Sequence, residues 1–152
     1  MFFDEVSLVT GGFDPLHSGH LEYFKKAKEL SHYLIVGLNS NSWLKRKKGQ
    51  YFQSWDERSE IIRNLDMVNA VISYNDDDDS SCVAINKCLK ISKHVIFCNG
   101  GDRGMANTPE IFKYGNNKNV TFKYGIGGNN KMNSSSIILS NYFNRQRKLL
   151  GI

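Results

Sequence analysis

Short apolar runs alternate along the chain with longer stretches in which apolar residues recur at helical spacing. The stretch 18–30 has an apolar side chain at every third position from Leu21 to Leu30, which places them on one face of a helix. Five short apolar runs are typical of buried strands. They cover Val6 to Thr10, Tyr33 to Leu38, Val68 to Ser73, His94 to Cys98 and Val120 to Tyr124.

Polar residues mark where further helices begin. Ser54 is followed by Glu57 three positions later, the spacing of a capping box. Thr108 precedes Pro109, and proline is favoured in the first turn of a helix. The pattern predicts additional helices over Val83 to Leu89 and from Ser134 onward, and it predicts a loop from Asn39 to Ser54.

Strands that alternate with helices indicate parallel strands joined by right-handed crossovers. The sequence therefore predicts a single domain, residues 1–152, with a three-layer α/β sandwich around a five-stranded parallel sheet. In such sheets ligands bind beyond the carboxyl ends of the strands, where the strand order reverses. The segments that follow strands are thus candidates for function: Gly11 to His20, Asn39 to Ser54, Asn99 to Asn107 and Gly125 to Ser136.

Composition and charge narrow the class of protein. Of the 152 residues 40% are hydrophobic, but no apolar run approaches the roughly 20 residues that span a bilayer. The three cysteines lack metal-ligand spacing and the N-terminus is acidic, so we expect a cytoplasmic protein with reduced thiols and no membrane partner. The net charge is +5, and the basic residues lie in local clusters. Such clusters favour an anionic small molecule over nucleic acid as the binding partner.

The segment from Gly11 to His20 has the strongest chemical signal. It reads Gly-Gly-Phe-Asp-Pro-Leu-His-Ser-Gly-His. Gly11 and Gly12 allow backbone N–H groups to approach an anion without an intervening Cβ, and the helix that follows offers its positive end to phosphate. His17 and His20 are three positions apart, so both imidazoles can face one side of the first turn and donate to phosphate oxygens.

This segment resembles the G-x-F-D-x-x-H-x-G-H signature of the cytidylyltransferase-like nucleotidyltransferase superfamily. It is neither the dinucleotide fingerprint nor a Walker loop, because their glycine and lysine spacings are absent. The resemblance implies a Rossmann-like fold in which His20 stabilises the transition state at the α-phosphate and His17 positions the phosphates. The other residues of the motif that the resemblance assigns to nucleotide binding are Gly11, Gly12, Phe13, Asp14 and Gly19.

Ser134, Ser135 and Ser136 resemble the superfamily's S-[ST]-[ST]-x-I element at a helix start. Hydroxyl groups there can cap the helix or donate to β- and γ-phosphate oxygens. The presence of the Gly11 to His20 motif in the same chain favours phosphate binding by these serines. The basic run Lys45-Arg46-Lys47-Lys48, which precedes the Ser54 helix, resembles a phosphate-binding segment of sugar-phosphate and polyol-phosphate members of the superfamily. We expect Lys45 and Lys48 to act as its catalytic cations, and Arg58 is a further candidate phosphate ligand.

The segment from Asn99 to Arg103 follows the fourth predicted strand and resembles the G-G-D-[YF] element of heptose-1-phosphate adenylyltransferases. Gly100, Gly101, Asp102 and Arg103 would lie beside the base, with the Arg103 guanidinium in place of the usual aromatic ring. Glycerol-3-phosphate cytidylyltransferases have an arginine before the serine element, where this chain has Lys131. The resemblance therefore favours ATP over CTP.

The implied reaction is attack by a sugar or polyol phosphate on the α-phosphorus of a nucleoside triphosphate, with release of pyrophosphate. Mg²⁺ is expected with the triphosphate, while Asp14 is equally compatible with a role near phosphate or as a cap of the turn. A CTP-dependent glycerol-3-phosphate-type enzyme and a catalytically silent nucleotide-binding module remain as alternatives. Relatives suggest a homodimer, and Asp76 to Asp79 is interpreted as a solvated helix start.

Overall fold

The computed structural model describes residues 2–100, 108–127 and 134–152. Strands and helices alternate through these residues, as the hydrophobic pattern predicts. The strands are β1 (Phe3–Gly11), β2 (Leu34–Leu38), β3 (Ala70–Ile72), β4 (Ser92–Gly100) and β5 (Val120–Ile126). The helices are α1 (Ser18–Glu29), α2 (Asn41–Lys48), α3 (Trp55–Arg63), α4 (Cys82–Leu89), α5 (Pro109–Tyr114) and α6 (Ser135–Leu150).

The strands of the described residues form a five-stranded parallel sheet in the order β3-β2-β1-β4-β5. From the central β1 the chain moves outward through β2 to β3, then crosses back to place β4 on the other side of β1. The strand order therefore reverses between β1 and β4, which makes their carboxyl ends the expected ligand site. The predicted fold class is confirmed.

Alternating side chains of the sheet support two separate cores, one on each face. On one face Val6 and Leu8 of β1 pack in a cluster with Ile85 of α4. On the other face Val9 lies in a cluster with Phe24 of α1 and Ile62 of α3. Because successive strand residues point to opposite faces, one central strand serves both cores and the domain has three layers.

Helix α2 occupies the segment that the sequence predicts as a loop, so that prediction is wrong. Ser40 caps the helix, its Oγ accepting from the Trp43 N–H at 3.0 Å, and Gly49 ends it with a left-handed φ of 87°. Leu44 is the one buried residue of this helix. Leu44 alone among four cations gives too short a periodic signal to be recognised in sequence. Its burial in the folded protein helps to stabilise so short a helix.

The helix starts predicted from Ser54 and Thr108 are confirmed. Ser54 Oγ accepts from the Glu57 N–H at 3.3 Å, and Thr108 Oγ1 accepts from the Ile111 N–H at 3.3 Å ahead of Pro109. These short polar contacts satisfy backbone donors that the first helical turn leaves without partners. Local sequence alone is enough to specify such ends.

The three cysteines are free and buried. Burial raises the pKa of the Cys88 and Cys98 thiols to about 12, so both stay protonated in the folded protein at neutral pH. No helix within the described ranges is long and apolar enough to cross a membrane.

Candidate active site

The candidate site lies at the carboxyl ends of β1 and β4, where the strand order reverses. Gly11 ends β1 and leads into the histidine-bearing turn, while Asn99 and Gly100 end the neighbouring β4. The structure thus brings together two segments that the sequence selected independently. The predicted ligands Gly101, Asp102, Arg103 and Lys131 lie outside the described residues and stay predictions.

His17 and His20 form a reciprocal cap at the start of α1. The Gly19 N–H donates to His17 Nδ1 at 3.0 Å, and the His17 N–H donates to His20 Nδ1 at 3.2 Å. The rings stack with their centroids 3.7 Å apart. Because each Nδ1 accepts a backbone hydrogen bond, the neutral rings have their protons on Nε2. Each imidazole is therefore set up to donate from Nε2, as a phosphate ligand requires.

The three glycines of this turn lie so close to neighbouring side chains that those side chains would have to shift to admit a Cβ. A Cβ on Gly11 would lie 2.8 Å from the Phe13 ring, and one on Gly12 would lie 2.7 Å from Leu44 Cδ2. A Cβ on Gly19 would lie 2.9 Å from the His17 ring. These distances are too short for carbon atoms, so the protein's own side chains take the space that a Cβ would need.

Phe13 anchors the turn in the interior. It is buried, with an unusual positive φ of 50°, and its ring meets the edges of His20 and Phe24 at centroid distances of 4.9 Å. Left-handed backbone is uncommon for a bulky side chain and persists only where the surroundings hold it. The aromatic contact places the His20 imidazole against the core. Phe13, which the sequence predicts to bind nucleotide, therefore supports the His20 ring from the protein interior.

The serine motif at the start of α6 lies against the same turn. Ser135 is buried and its Oγ donates to the carbonyl oxygen of Pro15 at 2.7 Å, across 120 positions of sequence. Ser134 caps α6, its Oγ accepting from the Ile137 N–H at 3.1 Å, and Ser136 is exposed. Two helix N-termini, those of α1 and α6, therefore meet at the turn, and both favour negative charge.

The basic run lies on α2 and is divided into two pairs by its surroundings. Arg46 donates to Asp79 at 3.1 Å, and Lys47 lies 3.9 Å from the same carboxylate. Lys45 lies over the Tyr51 ring at 5.5 Å. Neither Lys45 nor Lys48 forms an ion pair with any residue in the described ranges. The two lysines predicted as phosphate ligands are the two that acidic side chains of this part of the chain leave unneutralised.

Arg58 differs from the prediction, because it is 1% exposed and its donors are used internally. Its guanidinium donates to the carbonyl oxygens of Gly12, Asn39 and Gln53 and to Asn41 Oδ1, each at 2.9 Å. Burial lowers its pKa, which the carboxylates of Asp14 and Asp76 oppose, and an arginine remains charged under these conditions. In this arrangement the Arg58 guanidinium holds the backbone, and its direct contact with phosphate stays a prediction.

Asp14 is likewise buried, and its carboxylate binds the backbone of another segment. Its carboxylate oxygens accept from the Phe52 and Gln53 N–H groups at 2.6 and 2.7 Å. Asp14 therefore caps backbone donors of the segment before α3. Within the described ranges no group of three or more histidine, cysteine or acidic side chains lies close enough to hold a metal ion.

Sequence reasoning missed a buried polar network at the ends of β2 and β3. Asp76 was interpreted as solvated but is buried, accepting from Asn39 Nδ2 at 3.0 Å and from the Ser40 N–H and Oγ at 2.8 Å each. Asn39 Nδ2 also donates to the Tyr74 hydroxyl at 2.9 Å, and burial raises the pKa of Tyr74 to about 12. The signal that could have identified this network is the position of its residues in the sequence. Polar residues follow the ends of two neighbouring strands, β2 and β3.

Comparison with known proteins identifies the family. A family model described as cytidylyltransferase-like matches residues 8–112, which extend from β1 into α5. The chain belongs to the cytidylyltransferase-like family. The matched range includes the histidine turn, the cations of α2 and the buried Arg58. The resemblance inferred from the Gly11 to His20 motif is thereby confirmed.

Several curated relatives match part of this chain. The chain is 39% identical over 94 residues to the bifunctional protein HldE of Campylobacter concisus, which covers 60% of this chain and 19% of the relative. It is 35% identical over 99 residues to HldE of Nitratiruptor sp., covering 64% of this chain and 20% of the relative. The chain thus spans about a fifth of the length of these curated relatives.

Solved structures agree with the fold. A lipopolysaccharide core biosynthesis protein from Thermoplasma volcanium superposes with a TM-score of 0.58 at 25% identity, covering 79% of this chain and 93% of that chain. A protein of unknown function from Archaeoglobus fulgidus gives a TM-score of 0.54 at 14% identity, over 86% and 93% of the two chains. The second comparison bears on the fold alone.

Proposed function

We propose that this protein transfers a nucleoside monophosphate, AMP in preference to CMP, from a nucleoside triphosphate to a sugar phosphate or polyol phosphate, with release of pyrophosphate. Membership of the cytidylyltransferase-like family supports the class of reaction. The resemblance of the segment from Asn99 to Arg103 to heptose-1-phosphate adenylyltransferases supports a phosphorylated sugar as acceptor. The proposal concerns this chain alone, since most of each relative's length lies outside the match.

One observation carries the proposal. The hydrogen bond from Ser135 Oγ to the Pro15 carbonyl oxygen joins the serine motif to the histidine turn at the reversal point of the sheet. The N-termini of α1 and α6 and the two imidazoles therefore lie at the same turn. Such a set of donors suits a ligand with several adjacent negative charges, and a triphosphate is the common metabolite of that kind.

The geometry suits a reaction that depends on positioning and charge stabilisation. An acceptor phosphate is already ionised at neutral pH, so it attacks the α-phosphorus without a general base. The bond between the α-phosphorus and the bridging oxygen breaks, and pyrophosphate takes the electron pair. His20 would stabilise charge on the α-phosphate through Nε2–H, while His17, Lys45, Lys48 and the serines of α6 would hold the leaving phosphates.

Magnesium is best treated as part of the substrate. Both Asp14 oxygens accept backbone hydrogen bonds, so this carboxylate is not arranged as a dedicated ligand. Mg²⁺ is usually held by substrate phosphates with few protein ligands. We therefore propose that it enters with the nucleotide and reduces the charge of the triphosphate.

The direct test is pyrophosphate release with each of ATP, CTP, GTP and UTP in the presence of Mg²⁺ and a panel of sugar and polyol phosphates. We expect release with ATP and a sugar phosphate. Preference for CTP with glycerol 3-phosphate would favour the cytidylyltransferase alternative, and nucleotide binding without pyrophosphate from any pair would favour the silent module. The homodimer stays a prediction, to be checked by light scattering of the purified protein.

A further inference from the structure

We propose that Arg58 is a positioning residue that sets the phosphate-binding backbone of the turn between Gly11 and His20. This inference rests on the proposed function, because it assigns Arg58 a part in gripping the triphosphate without touching it. The sequence suggested a direct phosphate contact for this arginine, whereas its position in the interior points to an indirect one.

Three parts of the site converge on the Arg58 guanidinium. It reaches the Gly12 carbonyl oxygen in the turn, the Asn39 carbonyl oxygen beyond β2, and Asn41 Oδ1 in the first turn of α2. A planar guanidinium provides a fixed fork of donors, so these acceptors are held at defined angles to one another. The position of the turn is thereby coupled to that of the helix that bears Lys45 and Lys48.

The contact with Gly12 has a further geometric consequence. The Gly12–Phe13 peptide is trans, and in a planar trans peptide the C=O and the following N–H point in opposite directions. Because Arg58 draws the Gly12 carbonyl oxygen towards the interior, the Phe13 N–H is directed to the other side of the peptide. Phe13 has left-handed backbone, and the N–H of such a residue is a typical donor in the concave backbone sites that bind anions.

Asp14 restrains the same turn from its other end. Its carboxylate accepts from the Phe52 and Gln53 N–H groups, and the Gln53 carbonyl oxygen accepts from Arg58 Nε at 2.9 Å. The turn is therefore tied at Gly12 and at Asp14 to one segment, with Phe13 between the two ties. This bracing explains how a bulky residue is kept at a positive φ.

The test compares Arg58→Lys with Arg63→Lys, a matched substitution of an exposed arginine on the same helix. Lysine keeps the charge but cannot hold four acceptors in a fork. We expect R58K to raise the KM for the nucleotide roughly tenfold, the cost of one or two lost charge-assisted hydrogen bonds, with a smaller change in kcat. Affinity for inorganic tripolyphosphate should fall by a similar factor, while affinity for adenosine should be retained.

A uniform loss of affinity for tripolyphosphate and adenosine would overturn the inference, because it would indicate a merely structural role. Parameters equal to those of R63K would overturn it as well. A second measurement covers the case in which R58K does not fold. The Phe13 amide resonance of the wild-type protein should shift on addition of tripolyphosphate, and an unchanged resonance at saturation would refute the predicted direction of this N–H.

These outcomes are separable from failure of the proposed function. A wild-type protein that binds tripolyphosphate with a shift at Phe13, yet releases no pyrophosphate from any nucleotide, would refute the transferase and support the positioning role. A protein that catalyses transfer while R58K and R63K behave alike would refute the positioning role alone.

Discussion

Two sets of cations flank the same turn and have different roles. Arg58 lies in the interior, where four oxygen atoms accept from its guanidinium. The cations of α2 lie on the surface, where Arg46 and Lys47 meet Asp79 while Lys45 and Lys48 meet no acidic side chain of the described residues. In sequence Arg58 lies ten positions after Lys48, and each of these basic residues carries one positive charge.

The difference shows that burial, and not charge, decides which partners a basic residue near the candidate site can have. A buried guanidinium must satisfy its donors internally, because an unsatisfied buried charge is very costly. A surface lysine keeps its solvation and its mobility, so it can move onto a ligand. Substitutions can distinguish residues that stabilise the backbone of the site from residues that contact the ligand.

The largest expected effect concerns the histidine turn. We expect His20→Ala to lower kcat by roughly 100-fold or more, the usual result of removing one donor to a developing charge. Nucleotide affinity should change much less. The measurement is steady-state pyrophosphate release together with equilibrium binding, and His32→Ala, at an exposed histidine, is the control. A kcat equal to that of the control would remove His20 from the reaction.

The next effect is on stability. Asp14→Ala removes the acceptor of two backbone donors beside a buried arginine, and we expect it to lower the free energy of unfolding by about 3 kcal/mol. Asp56→Ala, at an exposed carboxylate in the first turn of α3, should cost less than about 1 kcal/mol. Urea denaturation followed by circular dichroism measures both. Equal losses would contradict the assignment of Asp14 to the interior framework.

The surface cations should affect binding and leave stability unchanged. We expect Lys45→Ala and Lys48→Ala each to raise the KM for the nucleotide roughly fivefold, which is about 1 kcal/mol for an exposed charge. The melting temperature should stay that of the wild type. Lys47→Ala is the matched control, because Asp79 already neutralises this lysine. A larger rise in KM for the control than for Lys45→Ala would reverse the proposed division of the basic run.

The last prediction concerns two buried thiols, whose effect is confined to high pH. Burial raises the pKa of Cys88 and Cys98 from the ordinary value of 9.0 to about 12. An unfolded chain loses these protons above pH 9 while the folded chain keeps them, so this contribution to stability is present below pH 9 and is lost as pH rises towards 12. Unfolding measured between pH 8 and 11 should therefore show a decline that is shallower in the Cys88→Ala, Cys98→Ala double variant. An identical slope would contradict the shifts.

Much of the site was predictable because its signals are local. The turn from Gly11 to His20 combines glycines, a proline and two histidines at helical spacing, and each has a physical reason that acts within ten residues. The same holds for the caps at Ser54, Thr108 and Ser134, where one hydroxyl meets an N–H three positions later. Such contacts need no knowledge of the rest of the fold.

The roles of Arg58, Asp14 and Asp76 were not predictable in the same way. Arg58 and Asp14 were candidate ligands, and Asp76 was interpreted as a solvated residue. All three are buried, with partners that come from other loops, such as Phe52 for Asp14 and Asn39 for Asp76. A charged residue gives no indication in sequence of which backbone groups from distant segments will surround it.

By itself the sequence determined the alternation of strands and helices and the parallel sheet, and it marked the first turn as the candidate phosphate site, because periodicity and short motifs act over a few residues. The tertiary structure alone decided that Ser135 meets Pro15 and that Arg58 braces Gly12. It also decided that Lys45 and Lys48 differ from their neighbours. These outcomes depend on which chain segments meet in the folded protein. A charged side chain that becomes buried must bind the surrounding backbone, whereas one that stays exposed remains available to a ligand.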